Sequence, residues 1–167
     1  MNNRTKKLVT AAMLAALTCV ATMLIVIPSP LKGYLNLGDC LVLTAGWILP
    51  PSYSFLAAGV GSALADLFSG YALYAPATFL IKGLMAWIAY HSFHLLRKQH
   101  SPLLCRIISG AAAELMMILG YFIFEGFLYG FLPSAVNIPA NSMQGLAGLI
   151  IGTALTKTLE QSKIAPK

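Results

Sequence analysis

The chain has 167 residues, 58% of them apolar and only 10% charged, with eleven Lys or Arg against five Asp or Glu, a net charge of +6 and a mean hydropathy of +0.77. Soluble domains carry about 25% charged residues. So few charges cannot cover a water-soluble globule of this length, and apolar residues running nearly end to end exclude disordered, single-span and disulfide-scaffold classes as well.

Apolar runs and their breakers predict one all-α membrane domain, residues 1–167, with six transmembrane helices in a bundle. The first covers 8–27 and stops at Pro28-Ser29-Pro30; about twenty apolar positions without a small-residue cleavage site read as a retained helix. The second, 39–49, is too short to span alone and implies a thinned or protein-lined region. The third covers 53–68, the fourth 76–96, the fifth 107–131 and the sixth 138–159, which Asn137 is placed to cap. Arg4, Lys6, Lys7, Arg97, Lys98, Arg106, Lys157, Lys163 and Lys167 then fall on one side, opposed only by Lys32. By the positive-inside rule both termini are cytoplasmic.

Small residues mark close helix contacts. The first helix carries two overlapping AxxxA pairs, Ala11–Ala15 and Ala12–Ala16, read as an outward face for another membrane protein. Ala57, Gly61 and Ala65 on the third helix, and Gly145, Gly148 and Gly152 on the sixth, are read as contacts within the bundle. Cys19, Cys40 and Cys105 have no disulfide or metal spacing.

Four of the five acids, Asp39, Asp66, Glu114 and Glu125, lie in or beside apolar runs, while Glu160 falls in a wet tail. A charge at the bilayer centre costs at least about 2.5–3.5 kcal/mol, so these acids need a reason. Helical periodicity brings Glu114, Tyr121 and Glu125 to one face of the fifth helix, Asn137, Asn141 and Gln144 to one face of the sixth, and Thr78 and Lys82 to one face of the fourth. With the topology above, nearly all these groups sit at the outer end and describe a pocket opened from outside. Glu125 with Asn141 and Gln144 suits a small hydrogen-bonding ligand, and Tyr71, Tyr74, Phe79, Tyr121, Phe124 and Tyr129 offer faces for a planar ring. Two plainer readings stand beside this one: Asp66 with Lys82 as a structural ion pair, and Asn137 as a simple cap. His91 and His94 lack a third metal ligand, and there is no GxxxxGK[ST] loop or GxSxG elbow. No catalytic residue, metal or cofactor is expected, and topology accounts for the positive charge without nucleic acid.

The segments Gly33-Tyr-Leu-Asn-Leu-Gly-Asp39, Gly61-Ser-Ala-Leu-Ala-Asp66, Tyr74-Ala-Pro-Ala-Thr-Phe-Leu-Ile-Lys-Gly83, Glu114-Leu-Met-Met-Ile-Leu-Gly-Tyr121 and Ile138-Pro-Ala-Asn-Ser-Met-Gln-Gly145 together resemble the S components of energy-coupling factor (ECF) transporters, across essentially the whole chain. The motif set is most similar to the branch with riboflavin, pyridoxine and hydroxymethylpyrimidine carriers. That resemblance implies a non-enzymatic subunit of the bacterial plasma membrane that captures a vitamin or precursor from outside. It implies delivery by docking on a membrane T component with two cytoplasmic ATPases, and toppling in the membrane to release cargo. Docking would use Ala11, Ala12, Ala15 and Ala16. The substrate site would use the loop after the first helix and helices four to six: Asn36, Asp39, Lys82, Tyr121, Glu125, Asn141 and Gln144. Size and polarity favour pyridoxine or hydroxymethylpyrimidine. A small proton-coupled secondary transporter, with Glu114 and Glu125 as a relay, is the reading from another class.

Overall fold

A computed structural model describes residues 3–28 and 34–162. Lys32, Gly33, Lys163 and Lys167, used in the sequence reading, lie outside the described residues. The rest is almost entirely helical: α1 (Asn3–Leu24), α2 (Asp39–Ile48), α3 (Pro51–Phe68), α4 (Ala75–Leu96), α5 (Pro102–Tyr129), a single turn α6 (Phe131–Ser134) and α7 (Ile138–Gln161). Three of them, α1, α4 and α5, are long and apolar enough to cross a membrane by length and composition.

Helix starts follow the prolines. Pro51, Pro76, Pro102 and Pro139 occupy first-turn positions of α3, α4, α5 and α7, where a missing N–H is not needed. Pro102, capped by Ser101, therefore starts α5 five residues before the expected 107. Gly130 ends it at φ 94°, a conformation that L side chains rarely adopt. The expected loop at 132–137 is instead α6 followed by a 3₁₀ turn (Ala135–Asn137). At the other end of the chain α1 begins at Asn3 and stops at Leu24, earlier than the apolar run suggests. Ile27 and Pro28 leave the helix and pair with Leu35 and Tyr34 as a two-residue antiparallel ribbon, β1 (Ile27–Pro28) with β2 (Tyr34–Leu35). The apolar run Ile25-Val26-Ile27 suits helix and strand alike; the pairing partner across the loop decides between them.

The short α2 is the axis of the bundle. Nine of its ten residues are buried, and α1, α3, α4, α5 and α7 all pack on it. Its Val42, Leu43 and Trp47 join Ala58, Met85, Ala86, Ala89, Ala113 and Met117 in the main core. Polar ties fix its rotation: Trp47 Nε1 donates to Ser109 Oγ at 2.9 Å, and Thr156 Oγ1 to Thr44 Oγ1 at 3.1 Å. Because neighbours surround it, a helix too short to span still has its backbone ends in protein. Leu8, Leu56, Leu80, Leu115 and Leu146 are exposed on the surrounding helices, an apolar exterior suited to lipid.

The glycine and alanine stripes on α3 and α7 face inward, as expected. A Cβ on Gly61 would run into the Ala15 carbonyl oxygen, and one on Gly152 would come 2.9 Å from that of Cys40. The α1 stripe divides. Ala11 is buried and Ala15 half-buried against α3, whereas Ala12 and Ala16 are exposed. The first pair is therefore a contact inside the bundle, because it lies on the side of α1 that meets Gly61. Only Ala12–Ala16 presents an outward face.

Arg106 also differs from its expected setting outside the helices, while Glu160 stays half exposed as expected. Arg106 belongs to α5, is buried, and pairs with Glu160 in the last turns of α7. The guanidinium is itself buried, 5.9 Å from the centroid of the Phe93 ring, so Glu160 supplies its counter-charge from the exposed side.

Candidate functional site

At the end of the bundle opposite Arg106, six elements deliver polar side chains to one cavity. It is lined by Thr22, Tyr34, Asn36, Ser62, Asp66, Tyr74, Thr78, Lys82, Tyr121, Glu125, Asn141 and Gln144, and holds about 450 Å³ of empty space with its mouth included. The C-terminal ends of α1, α3 and α5 and the N-terminal ends of α4 and α7 meet here, covered by β2 and the residues after it.

The floor is an ionic network centred on Asp39, the first residue of α2. Lys82 Nζ pairs with Asp39 Oδ1, both side chains being almost fully buried. Gln144 Nε2 donates to Asp39 Oδ2 at 2.7 Å, and Gln144 Oε1 accepts from the Asn36 backbone N–H at 2.9 Å. The Asn36 side chain accepts in turn from the Gly38 N–H at 2.9 Å, closing the turn that leads into α2. The Gln144 amide is thus held at both ends, and its orientation follows from its partners. Asp39 is fully buried and does not line the cavity; it stands behind Lys82 and Gln144. The plainer reading of Lys82 as the partner of Asp66 is replaced: its partner is Asp39.

On the α5 side, Asn137 Nδ2 donates to Glu125 Oε1 at 2.9 Å and to Oε2 at 3.0 Å, and the Tyr74 hydroxyl donates to Oε1 at 3.4 Å. Asn137 makes no side-chain cap of α7, so the capping reading gives way to a clamp on Glu125. Tyr121 and Thr78 share a hydroxyl hydrogen bond at 3.1 Å, and the Lys82 ammonium lies 5.5 Å from the Tyr121 ring centroid, within cation–π range. Asn141 lines the cavity half-buried.

On the α3 side, the Tyr34 hydroxyl donates to Asp66 Oδ1 at 2.6 Å. Burial, followed by the neighbouring Asp66, pushes the Tyr34 phenol above its ordinary range, so it remains a donor at any physiological pH. Its ring lies tilted against Tyr71 at 4.6 Å, Tyr71 meets Tyr74 edge-on at 6.4 Å, and Tyr74 meets Phe124 at 5.3 Å. These rings form an aromatic rim. Phe79 instead packs on Phe55, and Tyr129 with Tyr71 lines a separate shallow hollow.

Of the residues singled out by sequence, Asn36, Lys82, Tyr121, Glu125, Asn141 and Gln144 come together around the cavity, and Asp39 lies beneath it. Glu114 does not reach it; its carboxylate rests against Gly145 and Gly148 of α7. Sequence reasoning misses Tyr34, Thr22 and Ser62, since nothing in an apolar run singles out one hydroxyl. Tyr34 does carry a signal: it sits two positions from Asn36 in the quoted loop motif. No cluster of metal-ligating side chains occurs among the described residues.

The comparisons agree on kinship. The family model of the ECF-type riboflavin transporter, S component, matches residues 2–161. A protein of Pyrococcus woesei described as "uncharacterized protein in gap 3′ region" is 34% identical over 152 residues, covering 88% of this chain and 96% of that protein. The thiamine precursor transporter HmpT of Lactococcus lactis subsp. cremoris (strain MG1363) is 27% identical over 165 residues, covering 98% of this chain and 93% of that one. Among solved structures, the S component of a bacterial ECF transporter superposes with a TM-score of 0.72 at 24% identity, covering 95% of this chain and 98% of its own. The S component for biotin from an ECF-type ABC transporter gives 0.62 at 18% identity, covering 94% and 95%. At those identities the two structures speak to the fold. With its family model matched over almost the whole length, the chain belongs to the ECF-type riboflavin transporter S component family.

Proposed function

We propose that this S component captures a thiamine precursor of the hydroxymethylpyrimidine type. The observation that carries the reading is the cavity itself, a compact space with carboxylates and amides on its walls and an aromatic rim. Little free space remains between these side chains, which favours one ring over a fused three-ring flavin. An aminopyrimidine edge alternates donors and acceptors, which Glu125, Asn141 and Gln144 complement, while Tyr74 and Tyr121 offer faces to the ring. The likeness to HmpT over nearly the full chain supports the same choice. Pyridoxine, another compact hydroxymethyl-bearing ring, is the competitor within the class.

In this reading Lys82, Tyr121, Glu125, Asn141, Gln144 and Asn36 contact the ligand, and Asp39 orients Lys82 and Gln144. Six helices cross the plasma membrane with both termini cytoplasmic, so the cavity opens outward. The chain hydrolyses no ATP. It docks through the Ala12–Ala16 face of α1 on a membrane T component carrying two cytoplasmic ATPases. No hydrogen bond among the described residues links Glu114 to Glu125, which weighs against a proton relay.

Protein purified in detergent should retain or bind hydroxymethylpyrimidine with sub-micromolar affinity, seen by mass spectrometry of the co-purified ligand and by calorimetric titration. Binding of riboflavin with no response to hydroxymethylpyrimidine or pyridoxine would overturn the substrate assignment. No response to any vitamin or precursor would overturn the capture role.

A further inference from the structure

The cavity is finished on one side and unfinished on the other. Glu125, Gln144 and Lys82 each have protein partners. On the wall made by α1 and α3, Thr22 Oγ1, Ser62 Oγ and Asp66 Oδ2 are buried without a hydrogen-bond partner. All three side chains line the cavity, and the residues are only 3%, 2% and 4% exposed. Buried polar atoms in folded proteins are nearly always satisfied, so three orphans facing one space indicate a missing partner.

Their chemistry states what that partner offers. Tyr34 already occupies Asp66 Oδ1 and the Thr78 hydroxyl faces the same carboxyl, yet Oδ2 makes no hydrogen bond and stands ready to accept from a donor in the cavity. Serine and threonine hydroxyls both donate and accept, so Ser62 and Thr22 can complete the shell of a group held by Asp66. We propose that Thr22, Ser62 and Asp66 form a ligand subsite that receives a hydrogen-bond-donating substituent, an amino or hydroxymethyl group, and thereby help set substrate choice. It rests on the proposed function, and it extends the ligand wall beyond the loop and α4, α5 and α7 to the opposite pair of helices. The backbone supports such a wall. Gly61, the neighbour of Ser62, brings α3 against α1 at the Ala15 carbonyl, and the turn at Gly38 lies directly against the Thr22 hydroxyl.

The test is titration of the full-length protein with hydroxymethylpyrimidine and with analogues lacking either the exocyclic amino group or the hydroxymethyl group. Asp66→Asn should weaken hydroxymethylpyrimidine binding about tenfold or more, the size of one lost hydrogen bond to a charged group. Ser62→Ala and the isosteric Thr22→Val should each weaken it several-fold, with ligand-free melting unchanged. The analogue lacking the seated group should bind wild type weakly and lose nothing further on Asp66→Asn. If all three variants bind within about twofold of wild type while Glu125→Gln loses binding, the subsite holds only water and the proposal falls, leaving the proposed function intact. If wild-type protein binds no member of the panel, both fall. Should Asp66→Asn not fold, Ser62→Ala and Thr22→Val decide alone.

Discussion

Lys82→Met separates the structural from the ligand-contacting role of the cavity floor. Lys82 Nζ and Asp39 Oδ1 form an ion pair whose side chains are 3% and 0% exposed. Removing one partner of a buried pair costs about 3–5 kcal/mol, because the other charge is left uncompensated. Gln144 Nε2 still donates to Asp39 Oδ2 at 2.7 Å in the variant, which places the cost at the lower end, about 3 kcal/mol. For a chain of this size each kcal/mol moves the melting temperature by roughly 2–4 °C, so a fall of about 6–12 °C is expected. Trp47, hydrogen-bonded to Ser109 in the core, serves as the fluorescence reporter in detergent. Combining Lys82→Met with Asp39→Asn removes both charges and keeps an acceptor for Gln144, so more than half of the loss should return. A single variant melting within about 2 °C of wild type, or a double variant no better than the single, would refute the assignment of Asp39 to Lys82.

Asn137→Leu leaves Glu125 with only Tyr74 at 3.4 Å, and ligand affinity by titration should fall by about 5- to 30-fold, roughly 1–2 kcal/mol; unchanged affinity would mean the clamp does not position Glu125. Asn137→Asp sets a second carboxylate against the first and should abolish binding outright. Ala12→Trp on the exposed face should stop uptake in cells that supply the other transporter subunits while binding stays within about twofold. Ala15→Trp should instead lower the melting temperature, since Gly61 packs on that turn of α1; equal behaviour of the two variants would remove the distinction between the faces.

How far the sequence can be read depends on the kind of signal each residue carries. The helices are legible because hydropathy and proline positions are local properties, and the short α2 is recognisable because a ten-residue helix cannot span a bilayer. The convergence of Lys82, Tyr121, Glu125, Asn141 and Gln144 follows from period and topology together. Partners are not legible. Asp39 and Asp66 are both carboxylates near one end of the bundle, and only packing decides that Lys82 meets the former while Tyr34 meets the latter. Asn137 stands where a helix cap belongs, yet its Nδ2 donates to both oxygens of the Glu125 carboxylate, which turns the side chain away from the α7 backbone N–H groups it would otherwise accept from. The alanines of α1 form two equivalent pairs in sequence; the glycine on α3 that divides them is 46 positions beyond Ala15. Hydroxyls such as Thr22 and Ser62 occur throughout apolar helices and acquire meaning only beside a cavity.

Glu114 is the remaining acid, and it discriminates between transport classes. Each of the other four acids has a protein partner: Asp39 has Lys82, Asp66 has Tyr34, Glu125 has Asn137 and Glu160 has Arg106. Both oxygens of Glu114 lack one among the described residues, although the residue is only 5% exposed. Its carboxylate occupies a slot on α7 opened by glycine: a Cβ on Gly145 would come 2.9 Å from Oε2, and one on Gly148 would come 3.0 Å from Oε1. Asp39 from α2 and Lys82 from α4 are the charged groups facing it. Glu114→Gln keeps the shape and sacrifices no hydrogen bond seen among the described residues. It should therefore melt close to the wild-type temperature and leave both ligand binding and uptake intact. Glu114→Leu, which alters the fit in the glycine slot, should destabilise by roughly 1–3 kcal/mol. A proton-coupled carrier behaves otherwise, because a relay that loses a titrating carboxyl stops transporting while it still folds and binds. Loss of uptake by Glu114→Gln with melting and affinity preserved would turn the choice toward that class, and retained uptake excludes Glu114 from any such relay.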